Sequence, residues 1–305
     1  MTATADHAWG SRALSLDPPV PPTRAAERMA RDAIESEALL SEGTLIRVSK
    51  SGELSFLRAI LPAAKNLADR EFRVCVERIH LAIGKLLRER GHVPLHVWNY
   101  VPGICARASC GLSRYELFNL GRHLAYTAWY ESVRFGEHLA AASAVDQRGD
   151  DLVVHVLAGS HPGVALENPR QTPAYRYSHR YGPLPPCFSR ATIVLEPLGV
   201  GTPWVIVAGT SSIVGEDTRH AGDSEAQLDE TLLNLAHLSA AFSGDRTRAG
   251  ERLGADERAR TLARFHHLRV YLVRESDAGN VVASIPSALV RPSWNAGSAC
   301  FPRCP

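Results

Sequence analysis

Arginine and tyrosine side chains concentrate in one stretch of the sequence, residues 168–219. The stretch holds five arginines and three tyrosines but only three carboxylates. A planar guanidinium binds a carboxylate or phosphate through two parallel hydrogen bonds, so this composition suits the binding of a small anion. We interpret the stretch as an anion pocket for a small acidic ligand; the alternative is a solvated basic loop that only links two domains. The residues concerned are Arg170, Arg176, Arg180, Arg190 and Arg219, Tyr175, Tyr177 and Tyr181, and Glu196, Glu216 and Asp217.

The composition of the whole chain limits the kinds of partner. A length of 305 residues suits two domains better than one, and 45% hydrophobic residues are enough for a buried core. The net charge is only +2, so the basic stretch is a local feature, which argues against nucleic acid as a partner. An aromatic and basic loop could still bind single-stranded nucleic acid, and a steep salt dependence of binding would reveal it.

Neither a targeting signal nor a metal site is predicted. The sequence has no run of about 18 apolar residues that could span a membrane, and its N-terminus lacks the apolar segment of a signal peptide. We therefore expect a cytoplasmic protein with free thiols, because the six cysteines lack the paired spacing of zinc sites. The adjacent His266 and His267 would point to opposite faces of a strand.

The first half of the chain predicts the element order β-β-α-β-α-β. Residues 1–40 are predicted to form a flexible leader and a short helix, and residues 44–61 a hairpin around a Lys-Ser-Gly turn. Apolar residues recur at helical spacing in residues 69–92, and a capping box formed by Ser113 and Glu116 begins a second helix in residues 112–134. Strands are predicted at residues 93–103 and 151–159.

The second half begins the same order again. Strands are predicted at residues 190–196 and 204–209, helices at 223–244 and 255–265, a strand at 268–275 and a helix-like segment at 278–290. Two prolines and the lack of alternation make RPSWNAGSACFPRCP, the tail from about residue 291, a poor closing strand. We predict two related α+β domains, at residues 41–160 and 161–305, with the arginine-rich stretch at their interface, where small-molecule sites are common.

Four segments resemble the chorismatase family, closest to its hydroxybenzoate-forming, xanthomonad-type branch, some of whose members are labelled pteridine-dependent deoxygenase-like. That branch supplies hydroxybenzoates for pigments and ubiquinone. The likeness covers about residues 40–290. The segments are HVWNYVPG (96–103), RYELFNLGRHLAY (114–126), HPGVALENPRQTPAYRYSHRYGPLPPCFSRATI (161–193) and GTSSIVGEDTRHAGD (209–223).

The resemblance implies a fold and a reaction. The fold would be two domains of the trimeric enamine-deaminase (RidA/YjgF-like) type that form a pseudo-oligomer in one chain. The reaction would cleave the enolpyruvyl ether of chorismate to pyruvate, with 3- or 4-hydroxybenzoate or a dihydroxycyclohexadiene carboxylate as the ring product, and without a cofactor or metal. The oligomeric state is left open. Residues expected to bind the substrate are Arg122, Arg176, Tyr177, Arg190, Gly209 and Thr210.

The sequence departs from the family at the proton donor. In the family this acid is a glutamate in an EIEG-like segment of the last strand, whereas the last acidic residue here is Asp277. We therefore expect a frameshift or truncation that removed the closing strand of the second domain together with the acid, or a natural variant that uses another acid. Glu216, in GTSSIVGED, is the candidate for that role. The alternative function is a catalytically inactive protein that binds chorismate or a hydroxybenzoate.

Overall fold

The computed structural model describes residues 34–40, 43–130, 135–195, 203–243, 253–285 and 297–298. These residues form a mixed α+β structure in which one large sheet dominates the first half. Among them, no helix is both long enough and apolar enough to cross a bilayer.

The large sheet has six strands in the order β1-β2-β3-β6-β4-β5. All neighbouring pairs are antiparallel except β4 and β5, which run parallel. The predicted hairpin is present, with its two-residue turn at Gly52 and Glu53, just after the predicted position. The strands are β1 Ile34–Leu39, β2 Leu45–Ser51, β3 Leu54–Leu61, β4 Val93–Pro102, β5 Ala141–Gln147 and β6 Leu152–Gly159.

Two long helices cover one face of this sheet. Helix α1 spans Asp69–Glu89 and α2 spans Arg114–Tyr130. The predicted capping box is formed: Glu116 Oε2 accepts from Ser113 N at 2.5 Å, and Ser113 Oγ accepts from Glu116 N at 3.2 Å. The apolar stripe of α1 packs on the sheet, as the helical spacing predicts. Its members, all buried, are Phe72, Val76, Ile79, Ile83 and Leu87.

The opposite face of the sheet is covered by the second half of the chain. Phe56, Trp98 and Tyr100 form a core cluster there, against which Trp204 and Tyr271 pack. Both faces of β6 are therefore buried, which explains why its sequence is apolar at nearly every position instead of alternating. The large sheet is the layer that joins the two halves.

The second half contains smaller sheets and three helices. An antiparallel sheet has the strand order β7-β8-β9, a hairpin follows, and β12 pairs in parallel with β13. Asp223 is the N-cap of α3, where its side chain accepts from Ala226 N at 3.0 Å. The elements are β7 Val164–Leu166, β8 Ala191–Val194, β9 Trp204–Val207, β10 Ile213–Val214, β11 Asp217–Thr218, α3 Ser224–Phe242, α4 Ala255–Leu262, β12 Tyr271–Leu272, α5 Ala278–Ser284 and β13 Gly297–Ser298.

Three predicted features differ from the structure. The helix predicted to end at residue 40 is strand β1 over Ile34–Leu39, and the rest of the leader lies outside the described residues. Strand β5 was not predicted, because the small and polar residues AASAVDQ carry little strand propensity. The strand predicted over residues 268–275 is reduced to β12, so the second half does not repeat the element order of the first.

The domain division and the relation of the two halves to the trimeric enamine-deaminase type stay predictions. Of the tail from about residue 291, only Gly297 and Ser298 lie within the described residues. They pair with β12, while the predicted absence of a closing strand falls on residues outside that description.

Candidate functional site

The arginine-rich stretch is fixed at its start to helix α3. Arg170 Nη2 forms an ion pair with Glu230 Oε1 at 2.6 Å, and Arg170 Nη1 donates to Asn234 Oδ1 at 2.6 Å. Asn168 Nδ2 donates to the backbone oxygen of Asn234 at 2.9 Å. These contacts are largely buried, so they hold the start of the stretch in one position relative to the helix.

A second set of backbone contacts joins the stretch to the segment before α3. Thr172 N donates to Gly215 O at 2.8 Å, and Gly215 N donates to Arg170 O at 2.8 Å. Gly215 adopts a φ of 62°, a left-handed conformation that glycine enters without steric cost. The two segments therefore act as one frame for the side chains between them.

Arg190 lies at the centre of this frame. Its side chain is 3% exposed, and Nη2 donates to the Tyr177 hydroxyl at 2.7 Å and to Thr172 O at 2.8 Å. The guanidinium also lies over the rings of Tyr177 and Phe188, at 5.6 and 5.3 Å from their centroids. Among the described residues, Arg190 makes no ion pair, and its buried Nε has no hydrogen-bond partner. The predicted pairing of Tyr177 with Arg190 is therefore present as a direct contact.

Gly209 and Thr210 lie beside the backbone of Arg190. Ala208 N donates to Arg190 O at 2.9 Å, and Gly209 N donates to Ala142 O of β5 at 3.2 Å. A side chain at Gly209 would meet the Cβ of Ser143 at 3.0 Å, so the close approach to β5 favours glycine. The Thr210 hydroxyl donates to Ala208 O at 3.1 Å. Strand β5 thus sets the position of both residues relative to Arg190.

Arg176 and Glu167 are two further charged groups near Arg190. Arg176 is exposed and lies over the Tyr175 ring at 5.6 Å. Glu167 follows β7, and both of its carboxyl oxygens are buried without a hydrogen-bond partner. Burial raises the pKa of Glu167 to about 7, although the charge and backbone N–H of Arg190 and the charge of Arg176 lower it in part.

Arg122 occupies a neighbouring buried cluster on α2. It is 1% exposed, donates to Asn119 Oδ1 at 3.1 Å and has no ion pair among the described residues; its hydrogen bond does not go to Tyr177 or Arg190. It faces His80, whose pKa burial lowers to about 3, and Cys187, whose pKa burial raises to about 12. Cys187 and Arg190 both belong to the arginine-rich stretch, so this stretch contacts the cluster around Arg122 as well as containing Arg190.

The environment of Glu216 contradicts the role predicted for it. Its carboxylate accepts from Ser178 N at 2.9 Å, from Ser178 Oγ at 2.7 Å and from Arg180 at 2.9 Å. The two Ser178 hydrogen bonds lower its pKa, and Arg180 lowers it further. A proton donor at neutral pH needs the opposite shift, so these contacts do not favour the donor role for Glu216 and instead join residues 178–180 to the segment before α3.

Two groups near the site were not chosen as site residues from the sequence. Glu167 precedes the stretch directly, but nothing in ALENPR distinguishes a buried carboxyl from an exposed one. Asn119 lies one turn before Arg122 on α2, and this i, i+3 spacing could have indicated the contact. In the described part of the chain, no cluster of histidine, cysteine or acidic residues could hold a metal ion.

Comparisons with known proteins agree on one family. Residues 34–158 match the family model described as "Chorismatase FkbO/Hyg5-like, N-terminal". A protein named "Chorismatase" from Streptomyces rapamycinicus is 30% identical over 283 residues, which cover 90% of this chain and 80% of the relative. A "3-hydroxybenzoate synthase" from Streptomyces hygroscopicus is 31% identical, with 90% and 76% covered. A crystal structure of a chorismatase superposes with a TM-score of 0.68 at 23% identity, covering 87% of this chain and 74% of the other.

Proposed function

Because the chain belongs to the chorismatase family, we propose that it cleaves the enolpyruvyl ether of chorismate and releases pyruvate. The ring product is a hydroxybenzoate or a dihydroxycyclohexadiene carboxylate. One relative is named 3-hydroxybenzoate synthase, which favours 3-hydroxybenzoate among these products.

The observation that carries this proposal is a pair of buried arginines that make no ion pair among the described residues. Arg122 and Arg190 are 1% and 3% exposed, and neither makes an ion pair among the described residues. A buried charge is costly unless an opposite charge compensates it. Chorismate carries two carboxylates, so its binding would supply one anion for each guanidinium.

The acceptors around Arg190 also suit an exchange with a ligand. Arg190 now donates to two neutral oxygens, those of Tyr177 and Thr172. Hydrogen bonds to a carboxylate are about twice as strong as those between neutral groups. A carboxylate that reaches Arg190 therefore gains a charge-assisted contact, and the Tyr177 hydroxyl, which accepts from Arg190, can donate its own proton to the same ligand.

The test is pyruvate release from chorismate, measured for the wild-type chain and for two matched arginine variants. Arg190→Gln should lower kcat/KM by about 10- to 100-fold, since a hydrogen bond to a charged group contributes roughly 1.5–3 kcal/mol. Arg180→Gln, in the same stretch, is the control. It loses an exposed pair with Glu216 and Asp217, which typically contributes only about 0–1 kcal/mol.

The outcomes separate the two functions under consideration. Pyruvate formation that depends on Arg190 and not on Arg180 supports the proposal. Chorismate binding in a calorimeter without any pyruvate would instead support the non-catalytic binding protein. Neither binding nor turnover by a folded chain would refute the proposed function.

A further inference from the structure

The buried carboxyl of Glu167 is a chemical group beside Arg190 that the binding of two carboxylates does not use. Glu167 lies between β7 and Asn168, whose side chain is fixed to α3. Leu166 of β7 pairs with Ala191 of β8, so Glu167 lies across from Arg190. Both carboxyl oxygens are withdrawn from solvent and neither makes a hydrogen bond of regular geometry, although the Arg190 backbone N–H lies nearby. A carboxylate of a merely structural kind is usually compensated by close donors, as Glu216 is in the same region.

The charged groups that face Glu167 are two arginines. The guanidinium and backbone N–H of Arg190 and the guanidinium of Arg176 favour its ionised form, but burial outweighs them and raises its pKa to about 7. The other element packed on β7 is the turn Phe135–His138, where the His138 ring stacks on Tyr130. Glu167 therefore combines a position beside the anion site with a proton that it keeps close to neutral pH.

We propose that the Glu167 carboxyl is the proton donor to the methylene carbon of an enol ether that binds at Arg190. This inference rests on the proposed function. Cleavage of a vinyl ether begins with protonation of its terminal carbon, so the donor must be a carboxylic acid next to the group that holds the adjoining carboxylate. Glu167 meets both conditions, whereas Glu216 is ionised and paired with Arg180.

The proposed step balances with water as the only co-reactant. The O–H bond of the Glu167 carboxyl breaks as a C–H bond forms at the methylene carbon, which leaves an oxocarbenium ion and a carboxylate. Water adds to the oxocarbenium carbon and returns a proton to Glu167. The resulting hemiketal then collapses: the bond between its carbon and the ring ether oxygen breaks, and the hemiketal hydroxyl gives its proton to that oxygen. Pyruvate and the ring alcohol, a dihydroxycyclohexadiene carboxylate, are released, and loss of water from this alcohol gives a hydroxybenzoate.

Substrate binding itself would prepare the donor. Arg190 lowers the pKa of Glu167 through its positive charge, so a ligand carboxylate that compensates this charge raises that pKa further. Glu167 should thus hold its proton more firmly once the substrate is bound.

The experiment compares pyruvate release by the wild-type chain with that by Glu167→Gln and Glu167→Asp. Loss of a positioned acid should lower kcat of Glu167→Gln by about 10²–10⁴-fold, while KM changes by no more than about threefold. Glu167→Asp should recover part of this loss, since it keeps an acid on a shorter arm. Glu89→Gln, an exposed glutamate on α1, is the matched control and should retain wild-type kcat.

A second measurement uses the wild-type chain, so its result does not depend on whether the variants fold. Because the protonated form is the active one, kcat should fall by about tenfold per pH unit once the pH exceeds the pKa of Glu167 in the complex. Infrared spectroscopy of the free protein should show the carbonyl stretch of a protonated carboxyl that disappears near pH 7, and Glu167→Gln should lack this signal.

Each result distinguishes the two hypotheses. Equal pyruvate release by wild type and Glu167→Gln would overturn the role of Glu167 and leave the proposed function intact. A loss confined to Glu216→Gln, or a loss in KM alone for Glu167→Gln, would also overturn it. If the wild-type chain releases no pyruvate at all, the proposed function fails and the role of Glu167 fails with it.

Discussion

The buried imidazole of His96 should make the protein sensitive to mild acid. His96 lies on β4, is 1% exposed, and packs against Trp98 with ring centroids 4.2 Å apart and the ring planes tilted by 37°. Neither ring nitrogen has a hydrogen-bond partner, and burial alone lowers its pKa to about 3. Between about pH 3 and pH 6.5 the histidine is therefore mostly neutral in the folded chain, whereas the unfolded chain has bound a proton.

The sign and size of the effect follow from linkage. The folded-state pKa of His96 lies below the unfolded value of about 6.5, so its contribution to stability is complete above that pH and is lost as the pH falls. The slope is about 1.4 kcal/mol per pH unit for one proton, which amounts to about 2 kcal/mol between pH 7 and pH 5. Burial also lowers the pKa of His80 and that of His155 to about 3.

The assay is urea unfolding followed by tryptophan fluorescence at about pH 7 and about pH 5, with the free energy of unfolding extrapolated to water. The three histidines together should cost the wild-type chain about 6 kcal/mol over this interval, a large part of the typical 5–15 kcal/mol. His96→Phe keeps a ring against Trp98 but cannot bind a proton. It should therefore lose about 2 kcal/mol less than the wild type over the same interval.

For each variant, the change in the free energy of unfolding between the two pH values is compared. An effect of altered packing is the same at both pH values, so it cancels in this comparison. His266→Phe, at an exposed position, is the matched control, because an exposed imidazole meets water in both the folded and the unfolded chain. A pH slope of His96→Phe equal to that of the wild type would refute the reasoning, since the buried imidazole would then not be the group that resists protonation.

Three further substitutions test the packing and the helix ends. Gly121→Ala should destabilise the fold by about 1–3 kcal/mol in thermal unfolding, because the new Cβ would lie 2.5 Å from Arg73 O and 3.0 Å from Val76 Cβ. Gly279→Ala is the control. Nothing lies within 4 Å of its new Cβ, so this substitution should be neutral or stabilising in the same measurement. Ser113→Ala removes the cap of α2 and should cost about 1 kcal/mol in the same measurement, so an unchanged melting temperature would contradict the capping box.

Local patterns predicted the elements that carry strong periodic signals. The stripe of α1, the cap at Ser113 and the hairpin before α1 are all present, because each depends on neighbouring residues alone. Strand β1 was mistaken for a helix because AAERMARDAIESEALL has high helix propensity, while pairing with β2 decides its conformation. Strand β5 depends in the same way on its partner β4, which no short sequence window reveals.

The candidate site was predicted in part for a similar reason. The contact of Tyr177 with Arg190 joins residues 13 apart within one stretch, and the resemblance to a family indicated both. The state of each carboxyl depends on residues distant in sequence. Glu216 is fixed by Ser178 and Arg180, 38 and 36 residues away, and burial raises the pKa of Glu167, so short sequence windows do not reveal which carboxyl is protonated near neutral pH.

The arginines of the stretch have different functions that depend on their partners. Arg170 and Arg180 are each paired with carboxylates of the chain itself, so their charges are used to hold the frame. Arg190 is held by neutral oxygens at the centre of that frame, and in the proposed function its charge binds a ligand carboxylate. The abundance of arginine therefore does not measure the number of binding contacts. Because the paired arginines fix the frame, the buried one can keep its position without a carboxylate, which is the condition for binding one that arrives from outside.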